Sequence, residues 1–488
     1  MIISKDIDFA VDEHIWGHRL YDEQLPHLTV LEFLTVLQSN IETPLQESSD
    51  GKVFYQPQHQ IRLRNLLFNN PYVEAVRADN VPDDKKWAKW AELFNQDSTE
   101  SLDHHLPSLR QNFSTFEDFA QAIELIRSSA FEGQSNKRWS SKFVFPFGPD
   151  ALYEDLRFDS KAAPSNDRRF FARTGEVLYL MMCRAQRGAE LGDRIAKRLF
   201  LPNAPMNRLV KALQGTPQVA SNVKEVGYLP YARDERFDIV CDDWLAILDR
   251  DLPIYDGLDH LITLTGLNLL LYFLEQGRRE AGDERPVEFL LEIVSSHRTK
   301  IRALSIANYQ YNQNISQRAV TTHIQSLRYT SEWRAALESD DPNGNCLSLV
   351  RERFQYRKDG KKDSEIDLHG LSGDKLLERL TEQAGSRHEQ HVGKIHGSWA
   401  RAIGLSSRRL TNRVRYAPSD RLLKALVVAV VDEPMEFAEF LAEIHRRYGI
   451  VIGHIEGSRY VESQQVDQEA LMNNANNLET RLLALAGC

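Results

Sequence analysis

The chain has little cysteine, no paired thiol spacing, no long apolar run and no surplus of positive charge, and each shortage removes a class of protein from consideration. Its four cysteines, Cys183, Cys241, Cys346 and Cys488, stand far apart in 488 residues and never form a CxxC pair. Neither a disulfide framework nor a thiolate zinc site is signalled, and a reducing, cytoplasmic setting is expected. The longest apolar stretch, residues 261–274 (LITLTGLNLLLYFL), carries Thr and Asn and falls short of the roughly 20 residues a bilayer-spanning helix needs. It reads as a buried helix, and no membrane partner is expected. The opening MIISKDIDFAVDEHIW lacks a basic stretch followed by an apolar one, so no secretory signal is read there.

Catalytic signatures are equally scarce. The chain holds no GxxxxGK[ST] phosphate cradle, no GxGxxG after a strand and no GxSxG elbow, so neither a nucleotide nor any other cofactor is expected. His14 and His18 are four apart and share a helix face, yet no third ligand accompanies them. His388 and His391 in RHEQH are too close for the HExxH spacing, and with His396 they read as surface or capping groups. Asp103, His104 and His105 spell a triplet seen in some phosphoesterases without its companion acids, and Asp242 and Asp243 lack the E-x-K that follows in restriction nucleases. These acids read as solvent-facing or helix-capping, and no metal site is expected. The remaining catalytic alternative is a metal-dependent nuclease whose ligands meet only in the fold.

A net charge of −10 repels polyanions as a whole, so any nucleic-acid contact must use local basic surface. Two such segments exist: residues 161–215 hold eleven Lys/Arg against four acids, and residues 387–424 hold nine against two. In the first, arginines alternate with Phe170, Phe171, Leu178 and Tyr179, which suits a helix with its apolar side inward and its basic side in solvent.

An apolar fraction of 42% and a charged fraction of 27% are ordinary for globular chains, while the length exceeds what one core usually supports. Apolar residues recur at helical spacing in 28–38, 116–131, 168–188, 192–200, 205–215, 258–276 and 286–312, and FVFPFG at 143–148 reads as a strand or extended turn. Turn-rich ESDDPNGNCLS (338–348) and charged RKDGKKDSEID (357–367) mark a second break. The expectation is a mainly α, multidomain helical protein in three parts: a helical N-terminal domain 1–135, a mostly helical central domain 136–345, and a C-terminal domain 346–488.

One segment carries a mechanism. Residues 399–414, WARAIGLSSRRLTNRV, resemble the helix-turn-helix DNA-binding motif. Ala400 and Gly404 are spaced as its helix contact and its turn require, Trp399, Ile403, Leu405 and Leu410 fill its apolar positions, and Ser406 or Ser407 would cap its second helix. At about 100° per residue, Leu410 and Val414 share one side of such a helix and the arginines spread over the other. The motif usually has an apolar residue where this chain has Arg413, displaced here to Val414. The resemblance implies that Ser407, Arg408, Thr411 and Asn412 approach bases while Arg409, Arg413 and Arg415 meet phosphates of double-stranded DNA. Downstream, Ser419 and Asp420 cap SDRLLKALVVAVV, and MEFAEFLAEIHRRYG stops at Gly449 before the β-like IVIG, so a winged-helix-like arrangement is also open.

Three longer segments, WSSKFVFPFGPDALYEDL (139–156), RRFFARTGEVLYLMMCRA (168–185) and LLKALVVAVVDEPMEFAEFLAEIHRRYGIVIG (422–453), are similar to those of accessory proteins in bacterial anti-phage defence systems linked to DNA modification. That likeness implies a non-catalytic partner of a nuclease, methyltransferase or ATPase. The resulting expectation is a DNA-binding or scaffolding subunit of a bacterial multiprotein assembly. The alternatives are a protein-interaction scaffold without DNA contact and the nuclease named above.

Overall fold

A computed structural model of the chain describes residues 7–17, 20–40, 70–97, 105–128, 173–201, 205–214, 229–294, 300–354, 370–408 and 413–486, with short stretches between them. Helix makes up 71% of the structure and strand 3%, in keeping with the mainly α expectation. The strands are two-residue pairings. The FVFPFG run, the 357–367 linker and His18 lie outside the described residues.

The chain gathers into two compact units, each assembled from separated segments. One combines residues 1–26, 172–188 and 227–488, and the other combines 27–171 and 189–226. These units do not coincide with three consecutive domains at 1–135, 136–345 and 346–488. Sequence breaks mark where helices stop, whereas the units are set by apolar faces that meet across long separations.

The second unit is organised by aromatic residues. The helix Asp83–Asp97 places Trp87 and Trp90 against Phe116 and Phe119 of the helix Phe116–Ser128, with ring centroids 4.8–6.0 Å apart. Trp90 is fully buried, and its indole N–H donates to Asn70 Oδ1 at 3.0 Å, which satisfies the polar end of the ring. Asp83 accepts from the Phe116 backbone N–H at 2.7 Å, tying the start of one helix to the start of the other.

The first unit surrounds one long apolar helix. Its longer elements include α1 (Ile7–Trp16), α2 (Glu235–Asp249), α3 (Ile254–Glu280), α4 (Lys300–Gln313), α5 (Ile315–Gln325), α6 (Gly373–Gln390), α7 (Ile395–Ala402), α8 (Asp420–Val430), α9 (Phe437–Tyr448) and α10 (Gln468–Ala486). Among the described residues α3 is the helix long and apolar enough to cross a membrane, and 89% of that window is buried inside the protein. A helix apolar on every side needs protein on every side, and α3 packs against α1, α2, α5, α7, α8 and α9. Gly266 lets α7 and the chain at Pro26 approach: a Cβ there would lie 2.4 Å from Ile403 Cγ2 and 2.7 Å from Pro26 Cγ.

The helix Thr174–Arg184 differs from its expected amphipathic form, since every residue from Thr174 to Cys183 is buried. The expected helical run 286–312 also divides: β1 (Phe289–Leu290) pairs in parallel with β4 (Ile450–Val451), and helix resumes at Lys300. Phe289 and Leu290, with the β-branched Ile450 and Val451 opposite them, are buried in this pairing, and an apolar run of this kind suits strand as well as helix.

Candidate nucleic-acid interface

The helix-turn-helix resemblance meets the structure at Gly404. Helix α7 buries Trp399 and Ala400, and the following Ile403 and Leu405 are buried too. Gly404 has φ +75°, its N–H donates to Arg401 O at 3.1 Å, and the Leu405 N–H donates to Ala400 O at 2.8 Å. This pair of bonds is a Schellman helix end, with Gly in the left-handed position that L side chains resist. Beyond it the chain becomes extended, and β2 (Ser406–Ser407) pairs antiparallel with β3 (Arg415–Tyr416), Ser407 opposite Arg415. The bonds Ala417 N–H to Leu405 O (3.0 Å) and Ser419 N–H to Gly404 O (2.8 Å) continue the ladder to its base.

The helix expected to begin at Ser406 or Ser407 is therefore not formed there. A small residue followed four later by Gly and then Leu satisfies a Schellman end as fully as a helix-turn-helix turn, and the hydrogen bonds above select the former. Arg409, Leu410, Thr411 and Asn412 lie outside the described residues. Ser407 is half-buried in β2, while Arg408, just after β2, and Arg413, two residues before β3, are exposed. Residues 401–419 contain five arginines and no acid.

Arg415, expected on phosphate, is instead interior. Its side chain is 2% exposed and pairs with Glu292, itself 5% exposed. Its strand neighbour Tyr416 points the other way, as alternation in a strand requires. The Tyr416 hydroxyl accepts from Asn312 Nδ2 at 3.0 Å and donates to His396 Nε2 at 2.6 Å. Complete burial holds the His396 pKa down at about 3 and pushes the Tyr416 phenol well up, so both stay neutral in this contact. Ser305 closes the clamp, donating to Tyr416 O at 2.9 Å and accepting from its N–H at 3.0 Å. Arg421, at the start of α8, donates to Ala402 O at the end of α7 and pairs with Asp259, a cation placed on otherwise unmet helix carbonyls.

Two further ionisable clusters were not legible as such. Asp243 is fully buried, not solvent-facing or capping as its acidic surroundings suggested. It accepts from Tyr448 Oη at 2.6 Å and Asn268 Nδ2 at 2.7 Å, with Arg447 Nη1 at 3.6 Å. Burial raises its pKa to about 6, against the opposing pull of those two hydrogen bonds and of Arg447 and Arg236. Arg236 completes the group, pairing with Glu275 at 2.6 Å and donating to Arg447 O at 2.7 Å. Together these residues join α2, α3 and α9.

His388 and His396 are buried, which corrects their reading as surface or capping groups. His388 Nδ1 lies 3.0 Å from Asp12 Oδ1 and its Nε2 lies 2.9 Å from Ser316 Oγ. The connectivity is that of a nucleophile, base and orienting acid. All three residues are buried, however, and Trp16 stacks on the imidazole with centroids 5.5 Å apart. A Cβ on Gly393 would lie 3.3 Å from the ring's Cδ2. With its face and edge covered in this way, the relay serves to fasten α1 to α5 and α6.

Comparison of the chain with protein-family models, with curated proteins and with solved structures finds no match.

Proposed function

We propose that this chain is a non-catalytic, cytoplasmic subunit of a bacterial multiprotein assembly and that it holds double-stranded DNA through the arginine-bearing turn between β2 and β3. In this reading the hairpin acts as a wing and its arginines engage phosphates. The base-reading roles expected of Ser407, Arg408, Thr411 and Asn412 on a recognition helix are not carried forward. The observation that carries the reading is the division of labour along one acid-poor segment: Arg415 is neutralised internally by Glu292, while Arg413 is exposed and enters no ion pair among the described residues. An exposed guanidinium at the rim of a fixed hairpin is suited to a phosphate oxygen. The acidic whole makes the contact local and strongly dependent on salt.

The assembly belongs, in this proposal, with anti-phage systems linked to DNA modification, on the likeness of the three long segments quoted above. Other subunits would dock on exposed apolar side chains such as Tyr329 (77% exposed) and Leu483 (71%). Titration of a fluorescent duplex at low salt tests the DNA contact. Wild type is expected to bind, and the Arg408→Ala/Arg413→Ala variant to bind at least about tenfold more weakly, since charge-assisted contacts are each worth on the order of 1.5–3 kcal/mol. Equal binding by the two would remove the DNA contact and leave the scaffold.

A further inference from the structure

The strand β3 is held by a residue more than a hundred positions away in sequence. Residues 289–292 form a short central rib. The N–H groups of Phe289 and Leu291 donate to Gly449 O (2.8 Å) and Val451 O (3.0 Å) on one edge, and the Glu292 N–H donates to Tyr416 O at 2.9 Å on the other. Asn474 locks the rib further, accepting from the Ile293 N–H at 2.9 Å and donating to Leu291 O at 2.9 Å. Glu292 thus joins the rib to β3 twice, by its backbone and by its carboxylate. Arg415 has no other described partner for its charge, and its Nη1 is buried without a hydrogen bond.

We infer that Glu292 is a positioning residue for the basic turn: its carboxylate fixes β3, and through β3 the angle at which Arg413 is offered to an anionic backbone. The inference rests on the function proposed above and names its internal support. Arg413 and Arg415 are two apart, and β3 is bound to the rib immediately beside them. Neutralising Glu292 leaves a buried guanidinium uncompensated, a state that proteins relieve by moving the group to water. Arg413, two residues before β3 on the same chain, is displaced with it.

A double-substitution cycle read by DNA affinity separates positioning from general damage. Glu292→Gln and Arg413→Ala are each expected to weaken duplex binding about tenfold, and the pair together also about tenfold, because both act through one contact. Glu292→Asp, which keeps the charge, is expected to recover most of the affinity. Circular dichroism and melting midpoints establish that each variant is folded. If E292Q does not fold at the assay temperature, the paired change Glu292→Gln/Arg415→Met, which removes both buried charges together, takes its place with the same expectation of non-additivity with Arg413→Ala. Losses that multiply to about a hundredfold, or an E292Q protein that binds as wild type does, overturn the inference while leaving the DNA contact intact. Absence of binding by wild type overturns the proposed function and this inference with it.

Discussion

Replacing Asp243 by Asn should change how stability depends on pH. The carboxyl group has an ordinary pKa of 3.8 and a folded value of about 6 because burial disfavours its charge. The folded protein therefore holds this proton more tightly than the unfolded chain does. Its stabilising effect is complete below pH 3.8 and is lost as pH rises through about 6. The separation makes ionisation cost the folded state about 3 kcal/mol in full, of which about 1 kcal/mol should be regained between pH 7 and pH 5.

Asn cannot ionise, so the variant lacks that gain. It also offers one acceptor oxygen where Asp243 offers two, to Asn268 Nδ2 and Tyr448 Oη, and this changes stability at every pH alike. Urea unfolding of both proteins at pH 5 and pH 7 isolates the pH-dependent part. Groups such as His14 and His260, whose pKa values burial lowers, are common to both and cancel. Wild type should gain about 1 kcal/mol more than the variant on going from pH 7 to pH 5. An identical pH dependence in the two proteins would refute the account of Asp243 as a desolvated carboxylate.

Four other substitutions follow from packing and charge. Gly266→Ala should destabilise the first unit by about 1–2 kcal/mol in chemical denaturation, because overpacking against Ile403 and Pro26 outweighs the gain in helix propensity. Gly404→Ala should lower the melting temperature, since φ is +75° and the added Cβ would fall on Ser419 Oγ; Ser419→Gly in the same chain should return part of the loss by removing that atom. The Arg446 hydrogen bond, against burial and with help from Arg447, holds the Glu443 pKa down at about 2. This group's stabilising effect is present above its ordinary value of 4.5 and fades as pH falls toward 2, so Glu443→Gln should flatten the acid limb of a stability profile.

Much of the helical framework could be read directly from residue order, because each cue was local. Ser419 caps α8, accepting from the Leu422 N–H at 3.3 Å, and Gly449 ends α9 with φ +64°. Apolar residues at nearly every position of 261–274 required the buried surroundings that α3 has. What could not be read was set by distant partners. Nothing near Asp243 announces Tyr448, 205 residues away, and nothing near Arg415 announces Glu292, 123 residues away. The same limit explains the hairpin. The Ala400 and Gly404 spacing is local and ambiguous, whereas the pairing of Ser406 with Tyr416 is resolved by Ser305, Asn312 and His396, which come from elsewhere in the chain.

The proposed DNA-binding role of the hairpin is tested most directly by the salt dependence of duplex binding. The logarithm of affinity should fall linearly with the logarithm of salt concentration, and the slope should lessen by about 2 when Arg408 and Arg413 are both replaced by Ala, about one counterion for each phosphate no longer neutralised. An unchanged slope in that variant would contradict the assignment of the hairpin turn as the DNA-binding element.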